Sequence, residues 1–185
     1  MKRKQTFALA GVTLAMLVGA ALPASAQFGM NQEKIEFMVD VSEDMGRYVE
    51  HRTAPGEDPL RGSFFVTEGN IYPAGTIPGA GHEFDPNAPG SMGRWFCKGV
   101  FLVRGSELDK TPLALLTDQI LLLPDDKQSI VTAGTEGNGV AMRTVIGGTG
   151  PYAGYVGEQR QEFLGFNKTG GVNLRITITL RKASR

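Results

Sequence analysis

The chain is 185 residues long, with 19 Lys and Arg against 19 Asp and Glu, 25 Gly, 10 Pro and one Cys. The length suits one domain, and a formal charge of zero leaves no basic surplus of the kind nucleic-acid binding needs. One Cys excludes a disulfide framework or a Cys-rich zinc site, two His exclude a His-rich metal site, and 41% hydrophobic residues exclude a disordered chain.

Three basic residues, Lys2, Arg3 and Lys4, precede an apolar run from Phe7 to Leu22, and Ala24-Ser25-Ala26 follows. That order predicts a secretory signal cleaved before Gln27, in a form that points to a bacterial chain bound for the periplasm or the medium. A membrane anchor is the other reading, but the apolar run is short for a span. No stable membrane insertion is therefore expected after cleavage. Residues 1–26 hold three basic and no acidic side chains, so the remaining chain is mildly acidic. In an exported chain Cys97 would either pair with another molecule or serve as a small buried hydrophobe, and the second is expected.

Beyond the signal no segment keeps helical apolar spacing free of Gly, Pro and β-branched clusters, and alternation dominates. Val172–Arg181 is the clearest case, with Val172, Leu174, Ile176, Ile178 and Leu180 on one face and Asn173, Arg175, Thr177, Thr179 and Arg181 on the other. Glu33–Ser42 repeats it. Further strands are predicted over Gly62–Tyr72, Arg94–Arg104, Leu115–Leu123, Ser129–Thr135, Ala141–Ile146 and Gly154–Phe166, about eight in all. Tight-turn compositions at Pro124–Lys127 and Glu136–Gly139 predict antiparallel hairpins. Short strands with Gly-rich turns imply a sandwich or a closed barrel, and an eight-stranded barrel leaves room inside for one small ligand. Pro73–Met92 breaks the rhythm with four Pro and four Gly. A loop that long is often functional, and a lid over a barrel mouth is one expectation for it.

The most specific string is Val145-Ile-Gly-Gly-Thr-Gly-Pro-Tyr-Ala-Gly-Tyr-Val-Gly-Glu158. Its glycines allow positive φ at a sharp corner, expected at Gly147, Gly148 and Gly150, and a bend or close approach at Gly154 and Gly157. A phosphate cradle is set aside because no Lys-Ser/Thr and no helix follow. The string resembles the Gly-Gly-Thr-Gly-x-aromatic-x-x-x-x-Gly signature of dirigent proteins and allene oxide cyclases. Met92-Gly-Arg94 and Ile35–Ser42 resemble that family's strand starts in the right order. The resemblance implies an all-β, eight-stranded antiparallel barrel with an apolar axial pocket, often trimeric. It also implies that Asp40 and Ser42 stand where the family places catalytic and ligand-binding groups, with Glu68 near a second acidic position. A carboxylate buried in such a barrel would have a raised pKa and serve as general acid. Three features depart from the family pattern. Val156 replaces a family Arg, the family's barrel Cys aligns nearer Phe101 than Cys97, and alternation puts Asp40 on the face opposite Ile35, Phe37 and Val39. Whether Asp40 faces the barrel interior is open.

Trp95 and Tyr155 are the aromatic candidates for lining a ligand pocket, with core packing the alternative for Trp95. His82-Glu-Phe-Asp85 has donors for only a weak metal site, and no metal or cofactor is expected. Asn167-Lys-Thr169 matches a glycosylation sequon, without consequence in a bacterial chain. The expectation is an exported homo-oligomeric barrel, trimer or dimer, that binds a small hydrophobic or phenolic ligand. It would orient, cyclise or isomerise that ligand, or else be a non-catalytic carrier or envelope interaction domain.

Overall fold

Alternating apolar side chains along the eight long strands set which way each of them faces. The computed structural model describes residues 34–56, 58–79, 83–124 and 127–183, and the expected signal, residues 1–26, lies outside them. The strands are β1 (Lys34–Glu43), β2 (Val49–His51), β3 (Phe64–Pro73), β4 (Gly93–Phe101), β5 (Leu115–Leu123), β6 (Gln128–Glu136), β7 (Ala141–Gly148), β8 (Tyr155–Phe166) and β9 (Val172–Lys182). Eight of them, in the order β1-β9-β8-β7-β6-β5-β4-β3, close on themselves through an antiparallel β1–β3 pairing that runs from Val39↔Pro73 to Glu43↔Gly69. The expected eight-stranded antiparallel barrel is the fold found.

The ninth strand, β2, was not predicted because three residues carry no readable alternation. It continues β1 along the same neighbour. β1 pairs with the second half of β3, a short 3₁₀ turn at Met45–Arg47 intervenes, and β2 then pairs Val49↔Val66 on the first half. Asp44 caps that turn by accepting the Gly46 N–H at 3.0 Å.

Ile35, Phe37, Val39 and Val41 of β1 stand directly across from Leu180, Ile178, Ile176 and Leu174 of β9, all facing inward. They join Ile71, Trp95, Leu121, Leu123, Ile130, Val145 and Tyr155 in a dry core that fills one end of the barrel. Cys97 is buried in the same wall and free, and desolvation pushes its thiol pKa well up, as suits a small core hydrophobe.

The Gly-Gly-Thr-Gly string is a corner between β7 and β8. Only Gly150 within it takes positive φ (61°); Gly147 and Gly148 stay in ordinary strand conformation, contrary to expectation. Thr149 pins the corner to β6 by accepting the Ser129 N–H through its hydroxyl at 2.9 Å and donating its own N–H to the Ser129 carbonyl at 2.9 Å. Gly157 serves close approach, since a Cβ there would lie 1.9 Å from the Thr179 carbonyl oxygen of β9.

The lid expected for the long segment after β3 is not seen among its described residues. They are strapped to the outer wall: the Tyr72 hydroxyl donates to the Pro86 carbonyl at 2.8 Å, Phe84 packs edge-on against Tyr72, and Ile77 is fully buried. His82 lies outside the described residues. Asp85 is engaged by Lys168 at 2.5 Å, and no cluster of three or more metal-ligating side chains occurs among the described residues.

A methyl group at Gly157 must push against backbone on the β8–β9 seam rather than against a flexible side chain. Gly157→Ala is expected to cost about 1–3 kcal/mol in urea unfolding; an unchanged midpoint would show that the two strands can separate freely there.

Candidate functional site

The barrel interior changes character along its axis. Away from the dry end, the inward positions hold Glu43, Thr67, Thr117, Gln119, Thr132, Glu136, Arg143, Gln159 and Gln161. Their strands place them by the same period-two rule that places the aliphatics, so the polar lining continues the core face with other side chains.

Arg143 on β7 organises this half. Its side chain has no solvent exposure, and such a charge must be paired and fully hydrogen-bonded to be tolerated. Nη1 bonds the Glu136 carboxylate at 2.5 Å and also the Thr117 hydroxyl. Nε donates to the Thr132 hydroxyl at 3.1 Å, and Nη2 to the Thr117 carbonyl at 2.9 Å. Glu136 Oε1 accepts two more bonds, from the Thr117 hydroxyl at 2.6 Å and from Gln119 Nε2 at 2.9 Å. An amide ladder continues across the lumen: Gln119 Nε2 donates to Gln161 Oε1 at 2.8 Å, and Gln159 Nε2 donates to Gln119 Oε1 at 2.7 Å and to Gln161 Oε1 at 3.2 Å.

Above this floor the barrel mouth opens into a cavity of about 480 Å³. Its walls are apolar, chiefly Leu108, Leu115, Phe163, Phe166, Val172 and Leu174, while Glu136 and Gln161 reach its base. Phe163 and Phe166 stand half exposed at the rim, ring against ring at 5.1 Å, where a bulge between Phe163 and Gly165 turns β8 outward. A 480 Å³ apolar space with a few fixed polar groups is the form of a small-molecule site.

None of the residues singled out from the sequence lines this cavity. Asp40, expected as a barrel acid, points outward and is sealed there under the strap, at 0% exposure. Its carboxylate pairs with Arg175 directly across on β9, at 2.9 and 3.2 Å, and Oδ2 also accepts the N–H groups of Gly75 and Ile77 at 2.8 and 3.0 Å. It is a clamp that holds the strap to the barrel wall, with every donor supplied by the chain itself. Ser42 is outward too, donating to Asn173 Oδ1 at 2.6 Å and accepting from Asn167 Nδ2 at 2.9 Å. Those bonds bury the sequon Asn inside the structure. Glu68 lies on the outer surface between Arg94, at 2.8 Å, and Arg47, at 3.7 Å. Trp95 and Tyr155 do face the lumen, but in its dry end; on β8, Tyr155 is six residues from Gln161, about 20 Å along the strand. The Trp95 Nε1–H has no partner among the described residues.

Sequence reading missed Glu136, Arg143, Gln159 and Gln161. Glu136 falls in the tight-turn composition Glu136–Gly139, and no motif marks Arg143. A usable signal was present in Gln159-Arg-Gln-Glu162, where uncharged amides share the face of Tyr155 and charged side chains take the other.

Glu43 is the second inward carboxyl at this end. Burial raises its pKa, the negative Glu136 adds to the rise, and the Val172 N–H it accepts at 2.9 Å offsets part of it. A folded-state pKa above the unfolded one means that stability is complete below the ordinary value of 4.5 and falls as pH rises through the raised value. Glu43→Gln keeps the oxygen that accepts the Val172 N–H and cannot ionise. Its unfolding free energy relative to wild type is therefore expected to climb between pH 4 and pH 8; a flat difference would place the Glu43 carboxylate in an environment as favourable as water.

No protein-family profile and no curated protein sequence matches the chain. Solved structures do. A pterocarpan synthase dirigent protein superposes with a TM-score of 0.61 at 9% identity, covering 83% of this chain and 97% of its own. A second pterocarpan synthase dirigent protein gives 0.58 at 12% identity, covering 84% and 89%. A pyocyanin demethylase gives 0.50 at 16% identity, covering 77% and 98%. At these identities the likeness is one of fold, and the chain has the eight-stranded barrel fold of the dirigent proteins.

Proposed function

We propose that this chain is an exported barrel protein that admits a small hydrophobic or phenolic molecule through its open mouth and holds it in one orientation. The observation that carries this is the 480 Å³ apolar-walled cavity seated on a rigid polar floor. An interior filled end to end by Phe, Leu and Ile would leave no such space. The similar folds also act on small organic molecules by name, a pterocarpan synthase and a pyocyanin demethylase. Fixing one conformer of a reactive molecule is itself a route to its cyclisation or isomerisation. A carrier that binds the same molecule without converting it is the second reading, favoured by the position of Asp40 and Glu68 outside the barrel.

The outer faces of β3, β4 and β5 support self-association as a trimer or dimer. Phe64, Val66, Val100, Leu116 and Ile120 are exposed side by side there, with the Lys98–Asp118 ion pair (3.2 Å) among them. A cluster of exposed apolar side chains of this kind is a candidate association surface.

Native mass spectrometry of the protein recovered from the periplasm or medium is expected to show a small molecule bound to an oligomer. Ala141→Phe, which fills the cavity from β7, is expected to lose the small molecule and keep the oligomer; an unchanged ligand load would remove the cavity from the function. Leu116→Glu is expected to convert the oligomer to monomer in sedimentation velocity, and an oligomer indifferent to it would place the interface elsewhere.

A further inference from the structure

The polar floor of the cavity has a fixed direction, and that direction follows from a single carboxylate. Glu136 can only accept hydrogen bonds, so the Gln119 amide beside it must present its NH₂ group. Gln119 then offers its oxygen to Gln159, which must answer with its own NH₂. The Gln159 and Gln119 nitrogens both donate to Gln161 Oε1, so the Gln161 oxygen is turned inward. Three groups are left over: Gln159 Oε1, which is buried without a partner among the described residues and does not line the cavity, and two that lie at the cavity base. Glu136 Oε2 has no partner among the described residues, because the three donors that reach Glu136 all converge on Oε1. Gln161 Nε2 likewise has none, although the residue is 6% exposed and lines the cavity base. The two side chains are tied to the same Gln119 nitrogen, at 2.9 and 2.8 Å, so the free acceptor and the free donor are held on one floor.

We infer that the cavity selects an apolar ligand with a hydrogen-bond donor and an acceptor on one edge, such as a lactam or a hydroxyl beside a carbonyl. The donor bonds Glu136 Oε2 and the acceptor takes a proton from Gln161 Nε2, while the apolar body packs against Leu115, Val172, Leu174 and Phe163. Anionic ligands are excluded. The buried cation, Arg143, is already neutralised by Glu136 and has its three nitrogens engaged, so a ligand carboxylate would meet the free Glu136 oxygen unpaired. This inference deepens the proposed function and rests on the same cavity.

Two isomeric probes test it, 3-methyl-2-quinolone and N-methyl-2-quinolone, which share formula, size and carbonyl and differ in whether the lactam N–H survives. Calorimetric titration of the intact protein is expected to give the N–H isomer an affinity about ten-fold higher, the scale of one hydrogen bond to a charged acceptor. Equal affinities would overturn the inference and leave the cavity reading standing. Binding of neither isomer would overturn both. In Glu136→Gln the amide oxygen keeps the three donors of Oε1 and turns NH₂ toward the ligand, so the ratio is expected to fall below about three-fold. A ratio still near ten-fold in Glu136→Gln would assign the selection to some other group. The wild-type comparison decides the matter even where that variant does not fold.

Discussion

A guanidinium with no access to water sits inside this barrel, and the polar half of the lumen is arranged around it. An unpaired charge in such a place would cost several kcal/mol. Arg143 instead meets one carboxylate, two threonine hydroxyls and two backbone carbonyls. The carboxylate has only acceptors to offer, and that one-sidedness passes through Gln119 to Gln159 and Gln161. The amide ladder therefore has a single orientation rather than several equivalent ones. The bonds that are made hold its members in place, while Gln159 Oε1 stays buried without a partner among the described residues. A floor so held gives the open mouth its chemical character.

The other half of the barrel works by exclusion of water. Val39, Ile71, Leu121, Ile130, Ile176, Ile178 and Leu180 fill it without polar atoms to satisfy. The division lets one short barrel be core at one end and container at the other, and it accounts for why Trp95 and Tyr155 serve as packing. Outside the wall a second buried carboxylate, Asp40, has a different role. Arg175 and two backbone N–H groups hold it, and through them the strap after β3 is fastened to β1 and β9. Two ion pairs, each with one fully buried partner, thus divide the work, one shaping the cavity floor and one fixing a long connection to the wall.

Much of the fold was legible along the chain. Leu115–Leu123 was bounded correctly to the residue, and the other seven long strands to within one to three residues at each end, because alternation survives wherever one face of a strand is buried. The Gly-Gly-Thr-Gly string located the β7–β8 corner, where Gly150 and Gly154 take positive φ while Gly147 and Gly148 do not. The site was far less legible. Asp40 was drawn toward the lumen by family position even though alternation set it opposite Phe37 and Val39, and the alternation was right. Glu136 closes β6 beside Gly137, where turn composition masks strand character. Gln159 and Gln161 are uncharged, and nothing local distinguishes an amide that meets water from one that spans a lumen.

By itself the sequence determined the eight long strands, their antiparallel hairpins and which side chains share a face with Asp40 or with Ile176, since these follow from period-two patterning and turn chemistry between neighbours in the chain. The choice of barrel over sandwich came from the family resemblance. Which end of the barrel is filled and which is open was decided only by the tertiary structure. Gln119 and Gln161 are 42 residues apart, and Arg143 lies 26 from Thr117. Their meeting depends on the closure of the sheet and its stagger, a property of all eight strands together that no single segment encodes.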